Sequence, residues 1–370
     1  MGNVSANAEV AHLLAPAAVG GLETVVRSLV AAQRACGAPA RVVSVIDGPA
    51  SDPFLTALRQ RGIPVQTIPG QGRAYWREAR LVAAALETTT RPIVHTHGYR
   101  ADVIGRWVAG RLGCPLVSTV HGFTGGDRKN RLYEWVQVRA LRGFGRVVAV
   151  SASVAERLAT SGVPASRLTT IQNAHAFRTD LLSRREGRAA LGLPADGPVI
   201  GFVGRLAPEK DLAMLIRAVG GLARPVVLAI VGEGPARASL ESLAATVLGP
   251  GRVAWCEGVI DAARVFPAFD CFAISSKTEG TPMVLFEAAA AGVPIVTTAV
   301  GGIPDVVSER EAWLVPPEVP APMTRAFEEV FGRPDEAARR AELARERVKR
   351  DFGVERWVAQ YEAVYREVGR

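Results

Sequence analysis

The sequence predicts an α/β protein of two doubly wound, Rossmann-like domains, each built on a parallel sheet. Three observations carry this. Short apolar runs alternate with longer helical patterns along the whole chain. The runs are continuous and rich in Val and Ile rather than alternating, as expected of parallel strands buried on both faces. Twelve such runs would overfill one ordinary sheet, so they divide into two.

In order, the first half offers VAHLLA (10–15), RVVSVI (41–46), PIVHTH (92–97), PLVSTVHG (115–122), RVVAVS (146–151) and LTTIQN (168–173). The second offers PVIGFVGR (198–205), VVLAIVG (226–232), RVAWCEG (252–258), CFAISS (271–276), PIVTTAV (294–300) and AWLVPP (312–317). The polar stretch 178–198 is the expected connection between the two domains. Near the end, 352–368 sets Val354, Trp357, Val358, Tyr361, Val364 and Tyr365 on one face, which suits a packing helix. In such sheets ligands sit beyond the carboxyl ends of the strands. SSKTEGTP, VGEGP and GRLAPEK occupy such ends, and a cleft faced by both domains would gather them.

The 370 residues are 48% hydrophobic, with a formal charge of +8. Up to Arg188 there are 24 basic and 12 acidic residues; the remainder holds 44 − 24 = 20 basic and 36 − 12 = 24 acidic. The basic half suggests an anionic partner. No apolar run is long enough to span a membrane, and no Lys or Arg precedes Arg27 to form a basic leader, so a cytoplasmic protein is expected. Cys36, Cys114, Cys256 and Cys271 lie far apart and read as small buried residues of a reducing compartment. The five histidines show no H-E-x-x-H spacing. HTH at 95–97 puts two rings on one side of a strand without a nearby carboxylate, so no metal is expected.

EGTPMVLFEAAAAGVP (279–294) holds two acids around an apolar helix. Thr281 is the expected cap and Pro282 the first helical residue, with Gly292 and Pro294 as the stop. Val284 stands where a capping box needs Glu or Gln, so Glu287 is not a cap. A carboxylate buried there is paired or awaits a ligand, because leaving it bare is costly. Glu279 lies near the helix start, which favours an anion, either Glu279 itself or a phosphate. Two structural acids with unseen cations are the alternative. In GFVGRLAPEKDL (201–212), Arg205 and Lys210 flank a loop opened by Gly204; they could serve one diphosphate or remain two solvated cations. VGEGPARASL (231–240), with Glu233 between two glycines, is half a dinucleotide fingerprint lacking its third glycine. AAVGGLETVV (17–26) reads equally as a tight turn or a backbone cradle for an anion at Gly20 and Gly21. No D-x-D metal clamp, Walker loop, nucleophile elbow or kinase set is present.

Taken together, EGTPMVLFEAAAAGVPIVTTAVGGIPDVV (279–307), GRLAPEKDL, VGEGP and VAVSASVAERL (148–158) resemble the retaining GT-B-fold glycosyltransferases of family four, the glycosyl transferases of group 1. The resemblance spans essentially the whole chain in the family's order. It implies an acceptor-side domain over 1–180, a nucleotide-sugar domain over 181–351, and a helix over 352–370 returning to the first. It also implies Glu287 on the ribose hydroxyls of a nucleotide, Glu279 facing the donor sugar, and phosphate at Gly280, Thr281, Met283 and Val284. Arg205 and Lys210 would stabilise the departing diphosphate. Gly20, Gly21, Gly204 and Glu233 would approach the donor, and His121 the transferred sugar. The donor is a substrate, a UDP-sugar, and no cofactor or metal is implied. The acceptor would be a glycan or lipid-linked molecule. Two positions depart from the pattern: Asn173-Ala174 replaces Asn-Gly, and Asp305 replaces the Glu after Gly-Gly-x-Pro.

The rival readings are a GT-B-fold nucleotide-sugar epimerase and a non-catalytic sugar-nucleotide-binding module. In GRAYWREARL (72–81) and DRKNRLYEWVQVRALRGFGR (127–146), Arg and Lys are interleaved with Tyr75, Trp76, Tyr133 and Trp135. Cations beside aromatics suit an anionic membrane surface, so peripheral attachment is expected; no nucleic-acid motif accompanies the charge.

Overall fold

The computed structural model describes residues 8–16, 20–47, 53–72, 74–87, 89, 92–123, 128–259 and 261–369. The chain divides into two compact units, residues 1–173 with 354–370, and residues 174–353.

In unit 1 the chain alternates strands and helices: β1 (Val10–Leu14), α1 (Gly21–Ala35), β2 (Ala40–Ile46), α2 (Pro53–Gln60), β3 (Val65–Pro69), α3 (Tyr75–Leu86), β4 (Ile93–His97), α4 (Tyr99–Leu112), β5 (Leu116–Val120), α5 (Arg128–Leu141), β6 (Arg146–Ala149), α6 (Ala152–Thr160) and β7 (Leu168–Thr170). Unit 2 continues with α7 (Arg184–Ala190), β8 (Val199–Val203), α8 (Leu212–Gly220), β9 (Val227–Val231), α9 (Arg237–Val247), β10 (Val253–Cys256), β11 (Cys271–Ile274), α10 (Met283–Ala290), β12 (Ile295–Thr298), α11 (Ile303–Val306), β13 (Trp313–Val315), α12 (Pro320–Gly332) and α13 (Pro334–Asp351). The closing helix α14 (Val354–Val368) belongs to unit 1.

Among the described residues, the first sheet runs β3-β2-β1-β4-β5-β6-β7 and the second β10-β9-β8-β11-β12-β13. Neighbours pair in parallel, from Val10 beside Ile93 in unit 1 to Val296 beside Trp313 in unit 2. Strand order reverses between β1 and β4 in one unit and between β8 and β11 in the other, and each reversal opens a crevice at the carboxyl edge. The central strands β1, β4, β5 and β8 are buried at every position, which is why their sequences read as unbroken apolar runs.

β3 has no counterpart among the expected strands. As an edge strand it needs no continuous apolar sequence; VQTIP buries only Ile68 fully and ends in a proline that an edge tolerates. Cys36 is exposed and Cys114 half-buried, because both lie in turns that close helices rather than in the core. Only Cys256 and Cys271 have the expected burial. Among the described residues, no helix is long and apolar enough to cross a membrane.

The stretch 178–198 is no spacer. A capping box of Ser183 and Glu186 opens α7, and the side chain of Arg188 is 1% exposed beneath it. Its guanidinium donates to the carbonyls of Ala268, Pro194, Ala195 and Gly197 and to Asp270 Oδ2 at 2.7 Å. Asp270 Oδ2 also accepts from Val199 N at 2.8 Å, so one ion pair ties α7 to the starts of β8 and β11. Polar sequence there marks a buried charge network rather than a linker.

Arg188→Met takes the buried donor from four carbonyls and leaves Asp270 only Val199 N and the half-exposed Arg184. It should cost unit 2 about 3–5 kcal/mol, whereas Arg184→Ala, removing a half-exposed partner of the same Asp270, should cost under about 1 kcal/mol. Urea midpoints of the two variants check this, and equal losses would refute it.

Candidate functional site

In unit 2 the loops after β8 and β11 leave from adjacent strands at the reversal of strand order. The first passes Pro208–Lys210 as a single 3-10 turn, and Asp211 caps α8 through a contact to Met214 N. Lys210 Nζ reaches Glu279 Oε1 at 2.7 Å, and Ser276 Oγ donates to the same oxygen at 2.6 Å. Ser275 Oγ binds the carbonyl of Lys210, and Thr298 Oγ1 the carbonyl of Ser276. Glu279, its side chain 9% exposed, is therefore held by a cation, a hydroxyl and a fixed main chain.

Close backbone contacts lock these loops. Gly301 has φ +58°, and a Cβ there would fall 1.7 Å from the carbonyl oxygen of Glu279. Gly302 N donates to Gly280 O at 2.7 Å alongside. A Cβ on Gly234, at φ +158°, would likewise strike the main chain of Leu206, whose N–H binds Glu233 O at 2.8 Å. Gly204 N in turn binds Val231 O. The GRL and VGEGP loops thus form one surface, with the Glu233 side chain exposed upon it.

Two expectations for α10 need correction. Thr281 is not the cap residue: Pro282, at ψ 127°, stands outside the helix in that position, and Met283 is the first helical residue. Pro282 offers no capping side chain to the opening turn, and the first N–H groups of a helix, here those of Met283 and Val284, have no intrahelical acceptor. Glu287 is half-buried rather than buried, because Val284, Glu287 and Ala291 share a stripe, one helical turn apart, that stays partly open while Leu285, Phe286, Ala288 and Ala289 fill the core. Arg205 and Lys210 have separate partners. Arg205 is 61% exposed and pairs with Glu209 at 2.5 Å, four residues on, instead of joining Lys210 at Glu279. In the half-fingerprint, Arg237 sits in the place of the third glycine and pairs with Glu257 at 2.8 Å.

In unit 1, Gly20 and Gly21 open α1 after β1; a Cβ on Gly21 would meet nothing within 4 Å. Residues 17–19 of that turn lie outside the described residues. His121 follows β5, two strands along, and its Nε2 lies 3.1 Å from His97 Nδ1. Behind it is a set of residues the sequence did not single out as functional. His97 Nε2 lies 3.0 Å from His12 Nδ1, and His12 Nε2 lies 2.8 Å from Gln33 Oε1. Gln33 Nε2 donates to Tyr365 OH at 3.1 Å, which sits 2.8 Å from His95 Nδ1. His95 Nε2 meets Thr119 Oγ1, which meets Tyr361 OH. HTH was the one local signal; its partners come from β1, α1 and α14, far away in the chain. Burial pushes His12 and His121 down to about 4, and it holds His95 and His97 well below the ordinary imidazole range, with neighbouring imidazoles adding to the effect.

Residues 183–347 match the family described as glycosyl transferases group 1, and residues 20–174 the glycosyl transferase 4-like domain. A D-inositol 3-phosphate glycosyltransferase of Saccharomonospora viridis is 31% identical over 331 residues, covering 81% of this chain and 75% of the relative. Its namesake in Mycobacterium leprae is 30% identical over 268 residues, 67% of this chain, and the chain spans 62% of that relative's length. Among solved structures, Anabaena HepE in complex with UDP and glucose aligns with a TM-score of 0.86 at 20% identity, over 97% of this chain and 99% of that one. Sucrose-phosphate synthase of Thermosynechococcus elongatus aligns at 0.82 and 20%, over 98% and 99%. At such identities the likeness shows the fold, which is that of GT-B glycosyltransferases.

The buried imidazoles make unit 1 acid-sensitive. As pH falls below 6.5 the unfolded chain takes up protons that folded His12 and His121 refuse until about 4, so stability is full above 6.5 and drains toward 4. Asp102, raised to about 6 by burial against the lowering effect of its donors Thr96, Gln137 and Ser118, works the other way. One carboxyl opposes four imidazoles. His12 alone should withdraw about 2 kcal/mol between pH 7 and pH 5, read as a falling urea midpoint. A flat profile would refute neutral buried imidazoles.

Proposed function

The chain belongs to the glycosyl transferases of group 1, and from that premise we propose that it transfers a sugar from a nucleoside-diphosphate donor, a UDP-sugar, to a glycan or lipid-linked acceptor. The transfer retains anomeric configuration. The observation that carries this reading is the Lys210–Glu279 pair at the strand reversal, four positions ahead of Met283, the first residue of α10. A cation beside open N–H groups suits a diphosphate. HepE, the structural neighbour, was solved with UDP-glucose, which supports the choice of nucleotide.

Each residue then has a task. Both contacts of Glu279 fall on Oε1, which leaves Oε2 to accept from a donor-sugar hydroxyl. Glu287, on the open stripe of α10, accepts from both ribose hydroxyls. Lys210 and Arg205 neutralise charge as the bond from the anomeric carbon to phosphate breaks, with Arg205 leaving Glu209 to do so. The acceptor oxygen forms the new bond on the same face, and the departing phosphate oxygen takes its proton. No enzyme nucleophile is used. The sequence has no D-x-D clamp and supplies Lys210 and Arg205 instead, so the proposed chemistry is metal-independent.

An anionic lipid surface is the proposed docking partner of unit 1. Trp107 on α4 and Leu132 and Trp135 on α5 are 60%, 58% and 64% exposed. A groove of 660 Å³ between these helices is lined by Arg106, Trp107, Arg111, Val136 and Arg139. Aromatic rings at headgroup depth beside guanidinium groups match such a surface in charge and depth. The side chains of Arg128 and Lys129 lie outside the described residues.

Glu287→Ala should weaken UDP binding by roughly tenfold or more, about 1.5–3 kcal/mol by calorimetry, with the fold intact. Lys210→Ala and Arg205→Ala should each lower turnover about a hundredfold, and activity should survive EDTA. Labelled donor decides the reaction class: isomerised donor without transfer would mean an epimerase, and unchanged donor a binding module. Vesicles containing anionic lipid should sediment the protein at low salt but not at high salt, and neutral vesicles should not. Trp107→Ala with Trp135→Ala should abolish that binding; undiminished binding would sink the proposed surface.

A further inference from the structure

The polar interior of unit 1 invites a metal reading first, because the ligand atoms of His12, His95 and His97 lie within 4.8 Å of one another. Each of the six ring nitrogens, however, already has a protein partner: His97 and Gln33 for His12, Tyr365 and Thr119 for His95, His12 and His121 for His97. A cation would have to break this set and lose its water without gaining a carboxylate. The partners have another consequence, which follows from counting protons.

A neutral imidazole carries one N–H and one lone pair. Gln33 Oε1 can only accept, so His12 Nε2 holds the proton and His12 Nδ1 accepts. His97 Nε2 therefore donates to His12, which makes His97 Nδ1 an acceptor. His121 Nε2 must then donate to His97, and His121 Nδ1 is left with a bare lone pair. In the other direction Gln33 Nε2 donates to Tyr365 OH, whose own proton goes to His95 Nδ1; His95 Nε2 donates to Thr119. All four imidazoles are thus Nε2–H tautomers. Turning the Gln33 amide over would exchange donor and acceptor at every link and convert all four to Nδ1–H.

We infer that Gln33 is a positioning residue that couples the four imidazoles and sets His121 to present Nδ1 as an acceptor, with Tyr365 of the closing helix holding the amide. An acceptor nitrogen welcomes a hydroxyl and repels a phosphate oxygen. His121 therefore suits a sugar hydroxyl of the ligand rather than a phosphate oxygen. The assignment to sugar rests on the proposed transfer reaction; the tautomer does not, and it can be read without substrate.

Long-range proton–nitrogen spectra of the full chain, labelled with nitrogen-15, test it at pH 7. His12, His95, His97 and His121 should each show a protonated Nε2 and an unprotonated Nδ1. In Gln33→Met, or in the milder Tyr365→Phe if the first fails to fold, His121 should give averaged signals of both tautomers. The same variants should raise the KM for the donor roughly tenfold, the scale of one lost hydrogen bond, with a smaller change in kcat. Nδ1–H or doubly protonated His121 in the parent protein would overturn the inference, and so would an undisturbed Nε2–H tautomer in both variants. If the tautomers behave as stated but no sugar is transferred, the proposed function fails and the coupling stands.

Discussion

The constraint on which unit 2 depends is the approach of main chain to main chain at the carboxyl edge of its sheet. Gly301 against the carbonyl of Glu279, and Gly234 against Leu206, leave no space for a Cβ. With the loops pressed together, Glu279 cannot follow its own rotamer preference alone. Its carbonyl is faced by Gly301 and that of the next residue, Gly280, is bound by Gly302 N, while its carboxylate is held by Lys210 and Ser276. A glycine in such a position excludes alternatives more than it adds stability. The rigid frame lets a short, half-open helix present Glu287 and its first N–H groups in one orientation.

Unit 1 solves a different problem. A parallel sheet buried on both faces has no ordinary place for four imidazoles, and ionised groups there would be expensive. The chain keeps them neutral and pairs each with another neutral group, so that burial costs hydrogen-bond partners rather than charge solvation. Asp102 follows the same logic: three uncharged donors, Thr96, Ser118 and Gln137, surround it in place of a cation. Donors and acceptors in such a network are conserved along the chain of bonds, so a single amide at one end carries information to a ring at the other.

Much of this was legible in the sequence. The strands buried on both faces announced themselves through unbroken Val and Ile, and the EGTP and GRLAPEK loops by their position after such strands. What stayed hidden shares a physical cause, which is contact between distant segments. β3 lacks an apolar run because an edge strand does not require one. Arg188 looked like linker because its five donors are satisfied by main-chain carbonyls and one carboxylate that no local pattern reveals. HTH could be placed on one side of a strand, but nothing nearby told that His12, Gln33, Tyr361 and Tyr365 would meet it. Pro282 shows the opposite error: a favourable local rule for a first helical residue lost to a backbone that enters the helix one residue later.

The closing helix illustrates how one periodic pattern can hold two kinds of information. Trp357, Val358, Tyr361, Val364 and Tyr365 are all buried, and as apolar surface they account for its docking in unit 1. Leu or Phe at 361 and 365 would fill similar space. The tyrosine hydroxyls distinguish the observed sequence, since a buried hydroxyl without a partner is a liability and each of these has found one, Thr119 for Tyr361 and both Gln33 and His95 for Tyr365. Burial pushes both phenols above their usual range, so they remain neutral donors and acceptors. Packing thus fixes where the helix lies, and the hydroxyls fix its register along its own axis. A shift of one residue would preserve some apolar contact but would break the link from Tyr365 through Gln33 to the histidines.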